Sequence, residues 1–221
     1  VKIKIIPKYD RDVFHKDKRV NIVVDLLLKD NTLLYKEIIN VINNIFNFRD
    51  FSNHMQILNN LYAYPELSDK LGIYITSLWN IYSDGTNCSN LRGALLEKLV
   101  YKLLENKYVN DYESSISCYI CINSWRSSKS VDVLYYIIAE EIGDSIECKV
   151  NPHRLEKSHI ENLREIFIKS DKKIYPSIVS FSSRKALELK IKEFKIPIEP
   201  VQLYGSENLK EISIRSLLKS I

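Results

Sequence analysis

The sequence predicts an α/β protein: a central mixed sheet flanked by helices, preceded by a mainly helical N-terminal extension. Three observations predict it. Apolar side chains in the first third recur chiefly at helical spacing. Asp84-Gly85-Thr86-Asn87 is the clearest break in the chain. Beyond that break the periodicity changes to the order α, β, β, β, α, β. The chain is therefore expected to divide into a helical region, 1–86, and an α/β core, 87–221.

Residues 1–6, Val-Lys-Ile-Lys-Ile-Ile, read as a short strand ended by Pro7. A helix is expected over 21–28. Asp30-Asn31-Thr32 offers caps for a long helix with Leu33, Leu34, Ile38, Val41, Ile42 and Ile45 at helical spacing. Ser52 caps a further stretch that runs to Leu61, and Pro65 opens the next, which reaches Trp79 and Tyr82. After the break a helix is expected over 90–106. Strand-like runs follow at 116–123, 131–139 and 145–150, then a polar-faced helix at 155–168 and a strand at 175–181. Ser182-Ser183 caps a helix rich in Lys and Glu, and 201–204 adds an edge strand. There is no internal repeat and no low-complexity tract.

With 221 residues, 45% hydrophobic and 27% charged, the chain is large enough to bury a core without help from disulfides. No apolar run reaches the roughly 18 residues that a membrane helix needs. Lys2, Lys4, Lys8 and Arg11 follow one another with no apolar segment between them, so no secretory leader is expected and the protein reads as intracellular, that is, cytoplasmic. The chain opens on Val1 instead of Met, which fits either a processed start or a piece of something longer. The four cysteines stand at 88, 118, 121 and 148. Cys118 and Cys121 form a C-x-x-C, but it lies in a strand-like run where residues three apart face opposite sides, and no second Cys/His pair completes a zinc site. They read as packed free thiols of a reducing compartment. The net charge of +4 permits a nucleic-acid partner without demonstrating one.

The chemistry concentrates on two consecutive apolar runs. Ser130 to Tyr136 carries Asp132, and Asp144 to Val150 carries Glu147 and Lys149. On a strand Glu147 and Lys149 point one way while Ile146, Cys148 and Val150 point the other. An acid and an ammonium on a half-buried strand, beside another acid, are costly in a core and suit the holding of a divalent ion and a water against a phosphodiester. The triplet E-x-K also occurs at Glu105, Glu188 and Glu193, in or at the end of charged helical stretches where it reads as a solvated face; only the copy at Glu147 lies on an apolar strand. Upstream, Leu91, Leu95, Leu96, Leu99, Val100, Leu103 and Leu104 form one apolar arc of a helix. Glu97 falls at its border, as a third candidate acid or as an ordinary boundary glutamate.

A helix with Glu97, a β-hairpin with Asp132, a strand with Glu147-Cys148-Lys149, then a helix and a strand: this order resembles the PD-(D/E)XK nuclease superfamily, which includes many restriction enzymes, Holliday-junction resolvases and RecB-type nucleases. The resemblance covers residues 90–181, and Val131 stands where the proline of the signature would. It implies a restriction-endonuclease-like core and a Mg²⁺-dependent deoxyribonuclease, restriction-like or junction-resolving, in which Mn²⁺ substitutes for Mg²⁺. By the same resemblance Asp132 and Glu147 ligate the metal with the backbone carbonyl of Cys148, Lys149 orients the attacking water or steadies developing charge, and Glu97 serves a second metal or an outer water. Arg154 and Lys157, in the first turns beyond the catalytic strand, are the candidates for phosphate contacts. Arg126 and Lys129, in the Trp125–Lys129 link between strands, are candidates for gripping a nucleic-acid backbone. His153 and His159 rank below them as acid–base groups. DNA is the expected partner, and a homodimer is expected through the helical region, since cutting two strands needs two sites. Two alternatives stand beside this reading: a module of the same fold that binds nucleic acid and cuts nothing, and a helical interaction protein for which the α/β part is scaffold.

Overall fold

The computed structural model describes residues 2–30, 33–60, 65–107 and 112–212; Val1, the expected caps Asn31 and Thr32, and Leu61 lie outside them. Among the described residues, seven strands form one sheet: β1 (Ile3–Pro7), β2 (Tyr112–Ile122), β3 (Trp125–Arg126), β4 (Val131–Ile137), β5 (Ile142–Lys149), β6 (Ile174–Ser180) and β7 (Gln202–Tyr204). Their order is β1-β2-β4-β5-β6-β7, with β3 pairing β2. Neighbours from β1 to β5 are antiparallel, whereas β5, β6 and β7 run parallel. The protein is therefore α/β with a mixed sheet, as the change of periodicity predicts.

A parallel pair cannot be joined by a tight turn, so each parallel step carries a helical crossover. These are α7 (Lys157–Lys169) and α8 (Arg184–Glu193). The Ser183 hydroxyl caps α8 by accepting the Ala186 N–H at 3.2 Å, as the Ser-Ser pair foretold. Ile160, Leu163 and Ile166 of α7 and Leu187 and Ile191 of α8 share one apolar cluster with Leu134, Ile174, Ile178 and Leu203 of the sheet. Gly143 of β5 sits so close to β4 that an added Cβ would lie 2.3 Å from the Tyr135 carbonyl oxygen. Because a backbone atom blocks that space, Gly143→Ala is expected to destabilise the protein by about 1–3 kcal/mol, measured as a shift in the urea midpoint.

The chain forms two compact units, one of Val1–Arg11 with Val100–Ile221 and the other of Asp12–Leu99. This differs from a division at 86/87. β1 belongs to the sheet, because its ladder partner is β2, more than 100 residues further along, and nothing local to residues 1–6 announces that pairing.

The second unit is helical: α1 (Asp12–His15), α2 (Lys18–Lys29), α3 (Leu33–Asn44), α4 (Phe48–Asn60), α5 (Pro65–Tyr82) and the first part of α6 (Cys88–Glu105). Asp17 caps α2 by accepting the Arg19 N–H at 2.8 Å. α4 starts earlier than Ser52 suggests, because Asn47 supplies the cap by accepting the Asp50 N–H at 2.9 Å. The end of α3 is closed from a distance: the Tyr82 hydroxyl donates to the Ile45 carbonyl at 3.0 Å, and the Arg92 guanidinium donates to that of Ile42 at 2.9 Å. Last-turn carbonyls have no partner within their own helix, so a buried helix end needs such donors. Among the described residues, no helix is long and apolar enough to cross a membrane.

Candidate functional site

The β4–β5 ladder runs from Ile137↔Ile142 to Val133↔Ile146 and stops one residue short of Asp132. On the other side of β4, Ile116↔Val133 and Cys118↔Val131 are paired, and Ser117 between them takes φ 56°. That left-handed conformation is uncommon for any residue but glycine. The strands thus part at the Ser117–Asp132 step while β5 continues to Lys149 alongside β6. An opened ladder leaves backbone groups in need of partners. The Asp132 carboxylate supplies one: its Oδ2 accepts the Cys148 N–H at 2.8 Å. A strand residue directs its N–H and C=O to the same side, so the Cys148 carbonyl shares the side of Asp132.

Two acids and an amine meet at this opening. Lys149 Nζ lies 3.3 Å from Asp132 Oδ2 and hydrogen-bonds to Glu147 Oε1. Side-chain exposures of 14% for Asp132, 4% for Glu147 and 16% for Lys149 place the group mostly out of water. Burial by itself lowers an ammonium pKa, but the Asp132 and Glu147 carboxylates outweigh it and hold Lys149 above its ordinary value. Because the shift is upward from an unfolded value of about 10.4, the ion pairs contribute fully at neutral pH and are lost only as pH rises beyond that value. At neutral pH Lys149 is therefore a donor and not a proton acceptor.

The trio lines a polar cleft of about 280 Å³ together with Lys8, Ser117, Ser128, Lys129 and His159. Lys8 arrives from the end of β1, where its N–H donates to the Ser117 carbonyl at 2.8 Å. The loop from Ser128 to Ser130 is pinned by the buried Asn162 of α7. Its Oδ1 accepts from the Lys129 N–H at 3.1 Å and the Ser128 hydroxyl at 3.2 Å, and its Nδ2 donates to the Lys129 carbonyl at 3.3 Å. Lys129 Nζ donates to Ser158 Oγ at 2.6 Å. Lys8 pairs with Asp10 at 2.8 Å and Lys129 with Glu156 at 3.3 Å, so each ammonium that lines the cleft has a carboxylate beside it.

His159 enters from the first turn of α7. Its Nδ1 accepts the Glu156 N–H at 3.0 Å, and its Nε2 lies 3.5 Å from Glu147 Oε1. Burial, reinforced by the charges of Lys149 and Lys129, pushes its pKa down to about 4, so the ring is neutral near pH 7.

The sequence candidates fall into three groups. Asp132, Glu147, Lys149 and Lys129 come together, with the Cys148 backbone beside them. Arg126 stacks its guanidinium on the ring of Tyr119, itself a lining residue, at 4.0 Å. Arg154 closes the short 3₁₀ turn Pro152–Arg154, and Lys157 pairs with Glu161 at 3.4 Å; neither lines the cleft. Glu97 belongs to the helical unit, where it is buried and its Oε2 lies 2.6 Å from His15 Nε2. Lys8, Ser117 and Asn162 had no sequence signal, and His159 ranks higher than its position in the sequence suggests.

No protein-family model matches this chain, and no curated protein matches it. Among solved structures, the crystal structure of protein VC1899 from Vibrio cholerae is similar at a TM-score of 0.50 and 15% identity, over 99% of this chain and 58% of that one. At that identity the likeness concerns the fold alone. The chain spans a little over half the length of the protein it matches.

Whether the donors suit a divalent cation follows from their chemistry. Among the described residues, no group of three or more His, Cys, Asp and Glu side chains is placed to hold an ion. Two carboxylates that already converge on one positive charge, with a main-chain carbonyl beside them, are nonetheless a hard oxygen set. Such a set suits a cation like Mg²⁺, which keeps several waters and takes one or two carboxylates from the protein.

Proposed function

We propose that this protein is a Mg²⁺-dependent nuclease that hydrolyses phosphodiester bonds of DNA on a restriction-endonuclease-like core. The observation that carries the proposal is the convergence of Asp132 and Glu147, from neighbouring strands, on Lys149 where the ladder opens into a polar cleft. Asp132 and Glu147 hold the cation with the Cys148 carbonyl. When bound, the cation supplies charge stabilisation at the phosphate and a water activated near neutral pH. Lys149, held protonated, donates a hydrogen bond to that water or to a phosphate oxygen. Lys8 and Lys129 draw the anionic backbone into the cleft. The choice of DNA, endonucleolytic cutting and a dimeric state rest on the resemblance to PD-(D/E)XK nucleases.

The test is incubation of the protein with plasmid, linear and branched DNA, and with RNA, in Mg²⁺, Mn²⁺ or chelator. Cutting that requires the metal supports the proposal; binding without cutting in every metal condition supports the non-cutting module instead. Cys148→Ala refines it. Because Cys148 is not among the residues lining the cleft and its backbone N–H is what Asp132 accepts, cleavage is expected to persist with about 1 kcal/mol lost from packing. A normally folded, inactive Cys148→Ala variant would contradict the assignment of the carbonyl.

A further inference from the structure

We propose that His159 is a positioning residue for Glu147: as a donor with its proton fixed on Nε2, it holds the carboxylate in the orientation a divalent cation requires. The inference rests on the reading of the trio as a cation site and adds a residue that the E-x-K signature does not contain.

The protonation pattern comes from the geometry of the helix start. A backbone N–H can only donate, so the ring nitrogen that receives the Glu156 N–H, at 3.0 Å, carries a lone pair and no proton. The neutral ring therefore bears its proton on Nε2. That nitrogen faces Glu147 Oε1 at 3.5 Å, and Lys149 Nζ donates to the same oxygen. One oxygen of a carboxylate that is 4% exposed thus takes a hydrogen bond from the strand residue Lys149 and has the Nε2–H of His159, from a helix turn, standing 3.5 Å away. With Nδ1 committed to the helix cap and Nε2 protonated, the ring offers the cleft a donor and no base. The acid–base role entertained from the sequence is thereby replaced by an orienting one, the service that outer hydrogen bonds give to carboxylate ligands in metal sites. His159 stays in place beside Glu147 because its other nitrogen is anchored by the backbone.

Two substitutions separate the cap from the orienting bond. In His159→Asn the amide oxygen can occupy the place of Nδ1 and keep the cap, but the side chain no longer reaches Glu147. In His159→Gln the amide nitrogen can occupy the place of Nε2 and keep the donor, but the cap acceptor is lost. Mn²⁺ binding to the full chain is measured by calorimetric titration without substrate, alongside chelator-treated thermal melts. The expected result is that His159→Asn melts like wild type yet binds Mn²⁺ about 10-fold or more weakly, while His159→Gln melts lower and binds Mn²⁺ within a few-fold of wild type. Wild-type Mn²⁺ affinity in His159→Asn overturns the proposal, as does a loss of affinity in both variants that tracks their loss of stability. If wild type itself binds no Mn²⁺, the cation-site reading falls first and this inference with it, so the wild-type arm distinguishes the two failures.

Discussion

Lys149→Met is expected to cut cleavage by about 100-fold or more and, in chelator, to destabilise the fold by about 3–5 kcal/mol. Methionine keeps the length and apolar stem of lysine but removes the charge shared by Asp132 and Glu147. The two carboxylates then face one another with little access to water, and a buried charge left without its partner is among the most destabilising changes a site can suffer. A divalent cation can occupy the place vacated by the ammonium. Saturating Mn²⁺, at about 100 times its dissociation constant, returns up to about 2.7 kcal/mol by binding only the folded state. Urea titrations of wild type and variant, each with chelator and with Mn²⁺, measure this directly. The Mn²⁺-induced shift in midpoint should be larger in the variant, where no ammonium competes. Cleavage should fall by about 100-fold or more even at saturating metal, because the donor to water or phosphate is gone. A variant that is destabilised but not recovered by Mn²⁺, and still cuts DNA, would make Lys149 a structural counter-ion.

Asp132 is expected to separate chemistry from architecture. In Asp132→Asn the amide oxygen can still accept the Cys148 N–H, so the opened ladder keeps its substitute partner. Stability should fall by about 1–3 kcal/mol, because Lys149 keeps Glu147 but loses the charge of Asp132, while the cation site loses one of its two charges and cleavage drops by about 100-fold or more. In Asp132→Ala the acceptor disappears as well, and a mostly buried N–H without a partner adds a cost of about 1–3 kcal/mol. Circular dichroism melts and a plasmid-nicking assay on the same preparations give both readings. Equal activity in wild type and Asp132→Asn would remove Asp132 from the chemistry and leave it as a backbone clasp.

The candidate site was legible where its logic is local. Glu147 and Lys149 stand two apart on an apolar strand, which fixes them on one face; Asp132 occupies the preceding apolar run, which a short turn brings alongside. Ser183 as a cap and the crossover helices were legible for the same reason, since caps and periodicity act within a few residues. The α4 start is not fixed by sequence, because Ser52 and Asn47 offer the same chemistry and only the backbone path decides which one caps. Lys8 and Ser117 were invisible. Lys8 joins the cleft through a strand pairing across more than 100 residues, and the left-handed turn of Ser117 is imposed by its place in the sheet and not by its side chain.

The sequence by itself determined that strands and helices both follow the Asp84–Asn87 break, and that Glu147 and Lys149 share one strand face, because alternation and capping are short-range effects. Only the tertiary structure decided that the ladder opens at Asp132, that α7 presents His159 and Asn162 to that opening, and that β1 completes the sheet with Lys8 at the rim. Those outcomes depend on pairing across long stretches of chain and on burial, quantities that no short window of residues contains.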